Sequence, residues 1–252
     1  MNRFEEKNIP KIIHYCWFGG GEKNKLIKKC ISSWKKYNPE YTIIEWNEKN
    51  VDLSCNRYVK EAYENKKWAF VADYIRLYVV YNKGGIYLDT DVELIKSLDE
   101  FLSYDAFFSI EKNGNINTGL GFGAKVGNKT VKRLMDSYED IYFYDKKTGK
   151  LDLTPCTYRN TEDFKHIYGN IKDKINLKFR DNVIILGSEF FCPYNQKTGK
   201  INITSNTVGI HWYNASWRSK SINYREKFFR PIKRILGEKS FNYIKNFFIG
   251  RL

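Results

Sequence analysis

Asp73, Arg76, Asp89 and Asp91 lie close together in a stretch otherwise dominated by apolar residues, and their spacing fixes what chemistry they can share. Phe70 to Asn82 contains neither glycine nor proline, which predicts a buried helix; Gly84 follows where a left-handed terminal residue is wanted. On that helix Asp73 and Arg76 occupy one face. Ile86-Tyr87-Leu88 is a short apolar run of the buried-strand type, and Asp89-Thr90-Asp91 comes at its carboxyl end, where open α/β sheets place their ligand crevice. Two carboxylates at that point suit a hard cation. Mg²⁺ and Mn²⁺ need only one or two protein carboxylates when water and substrate phosphates complete the coordination, so a nucleotide diphosphate is the natural partner. The acidic pair by itself says less, because most Asp-x-Asp triplets are solvated turns.

The surrounding pattern decides more. Ala72-Asp73-Tyr74-Ile75-Arg76 followed by Gly84-Gly85-Ile86-Tyr87-Leu88-Asp89-Thr90-Asp91 resembles the core signature of the DXD-sugar-binding glycosyltransferases of family 32 and of the clostridial toxin glycosyltransferases. The resemblance implies an α/β, Rossmann-like GT-A fold, a nucleotide-sugar donor, a divalent metal bridging its diphosphate, and retention of anomeric configuration. Ile9-Pro10-Lys11-Ile12-Ile13-His14-Tyr15-Cys16-Trp17-Phe18-Gly19 looks like the family's opening element, by which Trp17 would stack on the donor base and the loop at Gly19 would pass the nucleoside. A tryptophan capping the core from a strand end is the other reading. His14, inside the predicted strand, reads as a core histidine.

Gly209 to Trp217 resembles the family's late His-to-Ser-Trp element, which makes His211 a third metal ligand beside Asp91 and Asp89, and Ser216 and Trp217 donor contacts. Neutral imidazole suits Mn²⁺ better than Mg²⁺, so the expected cofactor is Mn²⁺, with Mg²⁺ the alternative. A histidine merely packed among Trp212 and Trp217 is the competing reading. The resemblance assigns Asp91 and His211 to the metal, Asp89 to metal or ribose, and Asp73 and Arg76 to the sugar hydroxyls, with Arg76 also able to reach phosphate. Asn117, in the glycine-rich run to Ala124, is either a donor contact or part of a β-hairpin. Glu189 is either an acceptor-binding carboxylate or a surface acid. No side chain stands out as a covalent nucleophile, which fits a same-face substitution assisted by the donor phosphate.

The elements between these patches start as β-α-β. Ile12 to Trp17 is a strand, Lys25 to Tyr37 a helix with Ile27, Cys30, Ile31 and Trp34 at helical spacing, and Tyr41 to Trp46 a strand. The bulk of Asp52 to Lys67 reads as helical and charged, a solvated face. Asp105 to Ile110 and Thr207 to Trp212 are further strands.

The net charge of +14 is segregated: Ser219 to Leu252 supplies half of it and spaces its aromatic and aliphatic residues as an amphipathic helix. The expected organisation is a GT-A domain over 1–218 and a basic helical tail over 219–252. The tail either docks on an anionic membrane surface or packs back on the domain. No nucleic-acid reader module is recognisable. With no long apolar stretch, a polar start and five cysteines in no metal-type pairing, the expectation is a cytoplasmic enzyme peripheral to the inner face of the plasma membrane. Its donor would be a UDP-sugar by the toxin-like resemblance, and its acceptor a glycan or lipid-linked glycan in bacterial capsule or other surface polysaccharide synthesis. The non-enzymatic alternative is a membrane- or polyanion-binding protein on a relict transferase fold.

Overall fold

In a computed structural model the chain is described over residues 8–214, apart from 172–175, 177, 180 and 197. The elements in order are β1 (Ile12–Cys16), α1 (Lys25–Tyr37), β2 (Thr42–Trp46), α2 (Arg57–Glu64), α3 (Trp68–Lys83), β3 (Gly85–Tyr87), β4 (Val92–Leu94), β5 (Ala106–Ser109), β6 (Phe122–Ala124), α4 (Lys129–Asp136), β7 (Tyr144–Asp145), β8 (Lys150–Leu151), α5 (Cys156–Tyr168), β9 (Val183–Leu186), α6 (Ser188–Phe191) and β10 (Gly209–His211). A 3₁₀ turn lies at Asp99–Phe101.

Six strands form one mixed sheet in the order β2-β1-β3-β6-β5-β9. β1 pairs in parallel with both β2 and β3, β6 runs antiparallel to β3 and β5, and β9 is parallel to β5. Alternate strand residues point to opposite faces. Thus Cys16, Tyr87, Phe108 and Ile185 join one buried cluster with α2, α3, α4 and α5, while Tyr15, Ile86, Phe107 and Ile184 join another with Trp34 of α1 and Phe191 of α6. The sheet is therefore covered on both faces, as a sheet with near-continuous apolar strands must be.

Val71 through Leu77 of α3 are all buried, so Asp73 and Arg76 sit in the interior. The helix stops at Gly84, whose backbone φ is +64° and where a Cβ would come within 2.8 Å of the Pro10 ring. The Gly84 carbonyl accepts a hydrogen bond from His14 Nε2 at 2.8 Å, while Nδ1 accepts from the Trp46 indole at 3.1 Å. That makes His14 a fully buried core histidine, as expected.

Outside the main sheet, β4 pairs with β10 in an antiparallel ribbon. Its backbone is also tied to α1: the Leu94 amide donates to Ser33 Oγ at 2.9 Å and the Trp34 indole donates to the Val92 carbonyl at 2.7 Å. Trp34 is fully buried, so α1 fixes β4 in place. The 52–67 segment differs from expectation. Only Arg57–Glu64 is helical, and Tyr58, Val59, Glu61 and Ala62 are buried. The apolar residues of that charged segment recur at helical spacing, so one face packs, and Glu61 turns in with it, paired with Arg57 at 2.8 Å. In the glycine-rich run only Phe122–Ala124 is a strand.

Candidate active site

Asp89 leaves the carboxyl end of β3, the edge to which β1 also delivers Trp17 and the loop containing Gly19. The β4–β10 register places His211 opposite Val92, and the ladder continues with the Trp212 amide donating to the Asp91 carbonyl at 3.0 Å. His211 is thereby carried to the residue beside Asp91, and its Nε2 lies 3.1 Å from Asp91 Oδ1. Tyr213 follows in the left-handed region at φ 50°, a costly conformation for a bulky residue, and this turns the Asn214 amide onto Asp91 Oδ2 at 2.6 Å.

α3 contributes the second half. Arg76 Nη2 lies between two carboxylates, 3.1 Å from Asp73 Oδ1 and 3.2 Å from Asp89 Oδ1. Its Nε donates to the Ala72 carbonyl within its own helix, and the guanidinium lies 5.1 Å from the centre of the Tyr87 ring. The Tyr87 hydroxyl donates to the same Asp89 oxygen at 3.1 Å. The Cys156 sulfur, at the start of α5, accepts from Arg76 Nη1 at 3.7 Å, and the thiol favours the charged form of Asp73 beside it.

The carboxylates are not equivalent. Burial raises Asp73 and Asp89 above the usual carboxylate range even with Arg76 opposing it. Burial also acts on Asp91, but the charge and hydrogen bond of His211 and the Asn214 amide outweigh it and hold Asp91 below that range. His211 responds in kind: desolvation favours the neutral ring, and Asp91 with Asp89 overcomes it, raising the imidazole.

Asp89, Asp91 and His211 each offer one ligand atom, and these atoms all lie within 4.8 Å of one another. Two carboxylate oxygens and one imidazole nitrogen are a suitable donor set for Mn²⁺. The outer hydrogen bonds from Tyr87 to Asp89 and from Asn214 to Asp91 fix the carboxylates as metal ligands need to be fixed. Beneath Asp89 the chain passes at Gly119, whose amide carbonyl accepts from the Asp89 N–H at 3.0 Å. Residues and group fit.

The structure thus brings together Asp73, Arg76, Asp89, Asp91 and His211. Trp17 is partly buried at the same sheet edge, its indole donating to the Gly21 carbonyl at 2.7 Å with Lys23 Nζ 5.2 Å from the ring centre. The Gly19 amide donates to Glu48 at 2.6 Å. Asn117 is 7% exposed, with its amide donating to Glu111 at 2.8 Å and its oxygen accepting from Gly119 N at 2.7 Å, so it braces the loop under Asp89. Glu189 accepts a hydrogen bond from Asn176 at 3.2 Å. Ser216, Trp217 and the basic tail lie outside the described residues. Sequence reasoning missed Cys156, Gly119 and Asn214. Pro155 marks the start of a helix, but nothing in the sequence announces that this helix begins against Asp73 and Arg76.

Residues 24–108 match the model of the glycosyltransferase sugar-binding region containing a DXD motif, a span that includes Asp73, Arg76, Asp89 and Asp91. Over that span the chain carries the sugar-binding region that the DXD glycosyltransferases share. Among relatives, "Subversion of eukaryotic traffic protein A" of Legionella pneumophila is 24% identical over 82% of this chain and 35% of its own length. Inositol phosphoceramide mannosyltransferase 3 of Schizosaccharomyces pombe is 29% identical over 45% of this chain and 33% of its own. The chain therefore spans about a third of the length of these curated relatives. In fold it resembles the PaToxG glycosyltransferase, with a TM-score of 0.53 at 15% identity, covering 67% of this chain and 73% of that one. The architecture is that of the GT-A glycosyltransferases, as the DXD signature implies.

Proposed function

We propose that this chain transfers a sugar from a nucleotide-diphosphate donor to a hydroxyl acceptor, with Asp89, Asp91 and His211 holding a divalent cation. The observation that carries the reading is the convergence of those three ligand atoms within 4.8 Å beside the Asp73–Arg76 pair. When bound there, Mn²⁺ would supply charge neutralisation of the leaving diphosphate. Asp91 and His211 hold the site's outer end, anchored by β4, β10 and the Asn214 amide. Asp73 and Arg76 orient the donor sugar through its hydroxyls, and the planar guanidinium, already shared by two carboxylates, keeps Asp89 turned toward the cation. Trp17 and the Gly19 loop, at the same edge of the sheet, accommodate the nucleoside, with Asn117 bracing the sugar side and Ser216 and Trp217 completing the donor site.

Retention of configuration follows from the family resemblance and from the lack of an evident nucleophile among the site residues named above. The donor is read as a UDP-sugar, although the mannosyltransferase relative makes GDP-mannose a necessary member of any panel. The acceptor is read as a glycan or lipid-linked glycan of a bacterial surface polysaccharide, reached from the cytoplasmic membrane face by the basic segment 219–252 beyond a catalytic domain over 1–218. None of the described helices is long and apolar enough to cross a membrane. A second acceptor reading comes from the Legionella relative matched over most of the chain, whose name makes a eukaryotic component the alternative target.

Hydrolysis of UDP- and GDP-sugars by the purified protein, with Mn²⁺ or with chelator, tests this function. Release of one nucleotide only when Mn²⁺ is present supports it. No release from any donor shifts the reading to the non-catalytic membrane-binding alternative.

A further inference from the structure

Behind Asp73, away from the metal ligands, lies a second cluster of polar groups. Tyr58 of α2 and Tyr138, which follows α4, are 0% and 1% exposed, and their rings meet edge to face at 5.0 Å. Arg159 of α5 lies with its guanidinium 5.9 Å from the Tyr138 ring centre and forms an ion pair with Asp152. The Tyr138 ring also meets that of Tyr74, the residue after Asp73 on α3, edge to face at 5.7 Å, and both phenols feel the charges of Asp73 and Arg159. Yet the Tyr58 hydroxyl, the Tyr138 hydroxyl and Arg159 Nε are all buried without a hydrogen-bond partner.

An unpaired buried donor is unfavourable, and three in one place are not explained by packing. Enclosed waters characteristically take two to four such partners. We propose that the hydroxyls of Tyr58 and Tyr138 and the Arg159 guanidinium enclose water behind Asp73, and that through this water they hold the Asp73 carboxylate in the orientation in which it meets the donor sugar. Tyr58 and Tyr138 are then positioning residues. Asp73 already receives Arg76 at 3.1 Å and lies beside the Cys156 thiol, and a water on the phenol side adds a further donor. A buried carboxylate so surrounded keeps one rotamer, whereas one held only by Arg76 is free to swing with it.

The positional part of this inference rests on the proposed donor site, while the water itself does not, and two measurements separate them. A crystal structure of the whole chain at a resolution that shows ordered water is expected to contain density within hydrogen-bonding distance of both phenol oxygens. A dry contact, or phenols bonded directly to protein groups, overturns the proposal. With the sugar nucleotide that the UDP and GDP panel selects, Tyr58→Phe and Tyr138→Phe are expected to raise the donor KM several-fold with Mn²⁺ affinity unchanged. An unchanged KM, or a parallel loss of Mn²⁺ affinity, overturns the positioning role. If no donor in the panel turns over, the donor reading has failed, and the crystallographic density still decides on the water.

Discussion

A methyl group on residue 119 would sit 2.1 Å from Oδ2 of Asp89, so glycine there is a condition for the Asp89 carboxylate to occupy its place. Gly119 has no positive φ to satisfy, and the constraint is one of space alone. Gly119→Ala is expected to leave a folded protein with Asp89 displaced by an ångström or so. Misplacement on that scale lowers turnover by about a hundredfold, measurable as Mn²⁺-dependent donor hydrolysis at near-normal melting temperature. Retention of full activity would mean that Asp89 is not a precise ligand.

Arg76 lies between the buried carboxylate of Asp73 and the partly exposed carboxylate of Asp89, whose side chain is 29% exposed. The Arg76 side chain is 5% exposed and that of Asp73 10%. Removing the guanidinium leaves uncompensated buried charge, so Arg76→Ala is expected to lose about 3–5 kcal/mol in urea unfolding. Arg76→Lys keeps the charge without the fork and is expected to recover part of that stability, with donor turnover still impaired. Equal turnover in wild type and lysine variant would contradict the bridging role.

Trp34 acts on the site from a distance. Its indole is the partner of the Val92 carbonyl, one residue past Asp91. Trp34→Phe fills most of the volume but leaves that carbonyl without its donor, an effect of about 1–3 kcal/mol. Because β4 also carries Asp91, Mn²⁺ affinity is expected to fall with stability. A stability loss with metal affinity intact would show that the β4–β10 pairing alone positions Asp91.

His14 gives the fold a pH dependence. Burial holds its imidazole neutral and lowers its pKa from 6.5 to about 4. The unfolded chain then binds more protons than the native one between those values, so the stability this histidine contributes is complete above about 6.5 and is lost as pH falls toward 4. At 1.36 kcal/mol per unit, the shift corresponds to about 3 kcal/mol. His14→Gln is expected to be less stable than wild type at pH 7, with the gap closing by pH 4.5 in denaturant unfolding. A gap that stays constant with pH would contradict this.

Much of this molecule is legible because local pattern and tertiary role agree. The helix at Trp68–Lys83, the strands at Ile12–Cys16 and Thr42–Trp46, and the acidic pair after β3 all announce themselves through periodicity and glycine stops. Lys11, in the opening motif, is also readable as a surface charge: it pairs with Glu40 at 2.6 Å at the amino end of β1, the end opposite the one that leads to Trp17, and Lys11→Ala is expected to leave donor hydrolysis unchanged. What local pattern does not encode is register between distant segments. The Asp91–His211 pair depends on the β4–β10 ladder, and the contact between Cys156 and Arg76 spans 80 residues. Tyr58 lies in a segment that reads as solvated and Tyr138 carries no signal in the sequence, and only their buried, unpartnered hydroxyls distinguish them.

The most direct test of the central claim is a titration of the protein with Mn²⁺, read by the electron paramagnetic resonance of the free ion, for wild type and Asp91→Asn with and without UDP or GDP. The account predicts saturable binding that one nucleotide strengthens, weakened at least about tenfold by the substitution. Absence of saturable binding in the wild type, or equal affinity in the two proteins, would contradict the assignment of Asp89, Asp91 and His211 as a metal site.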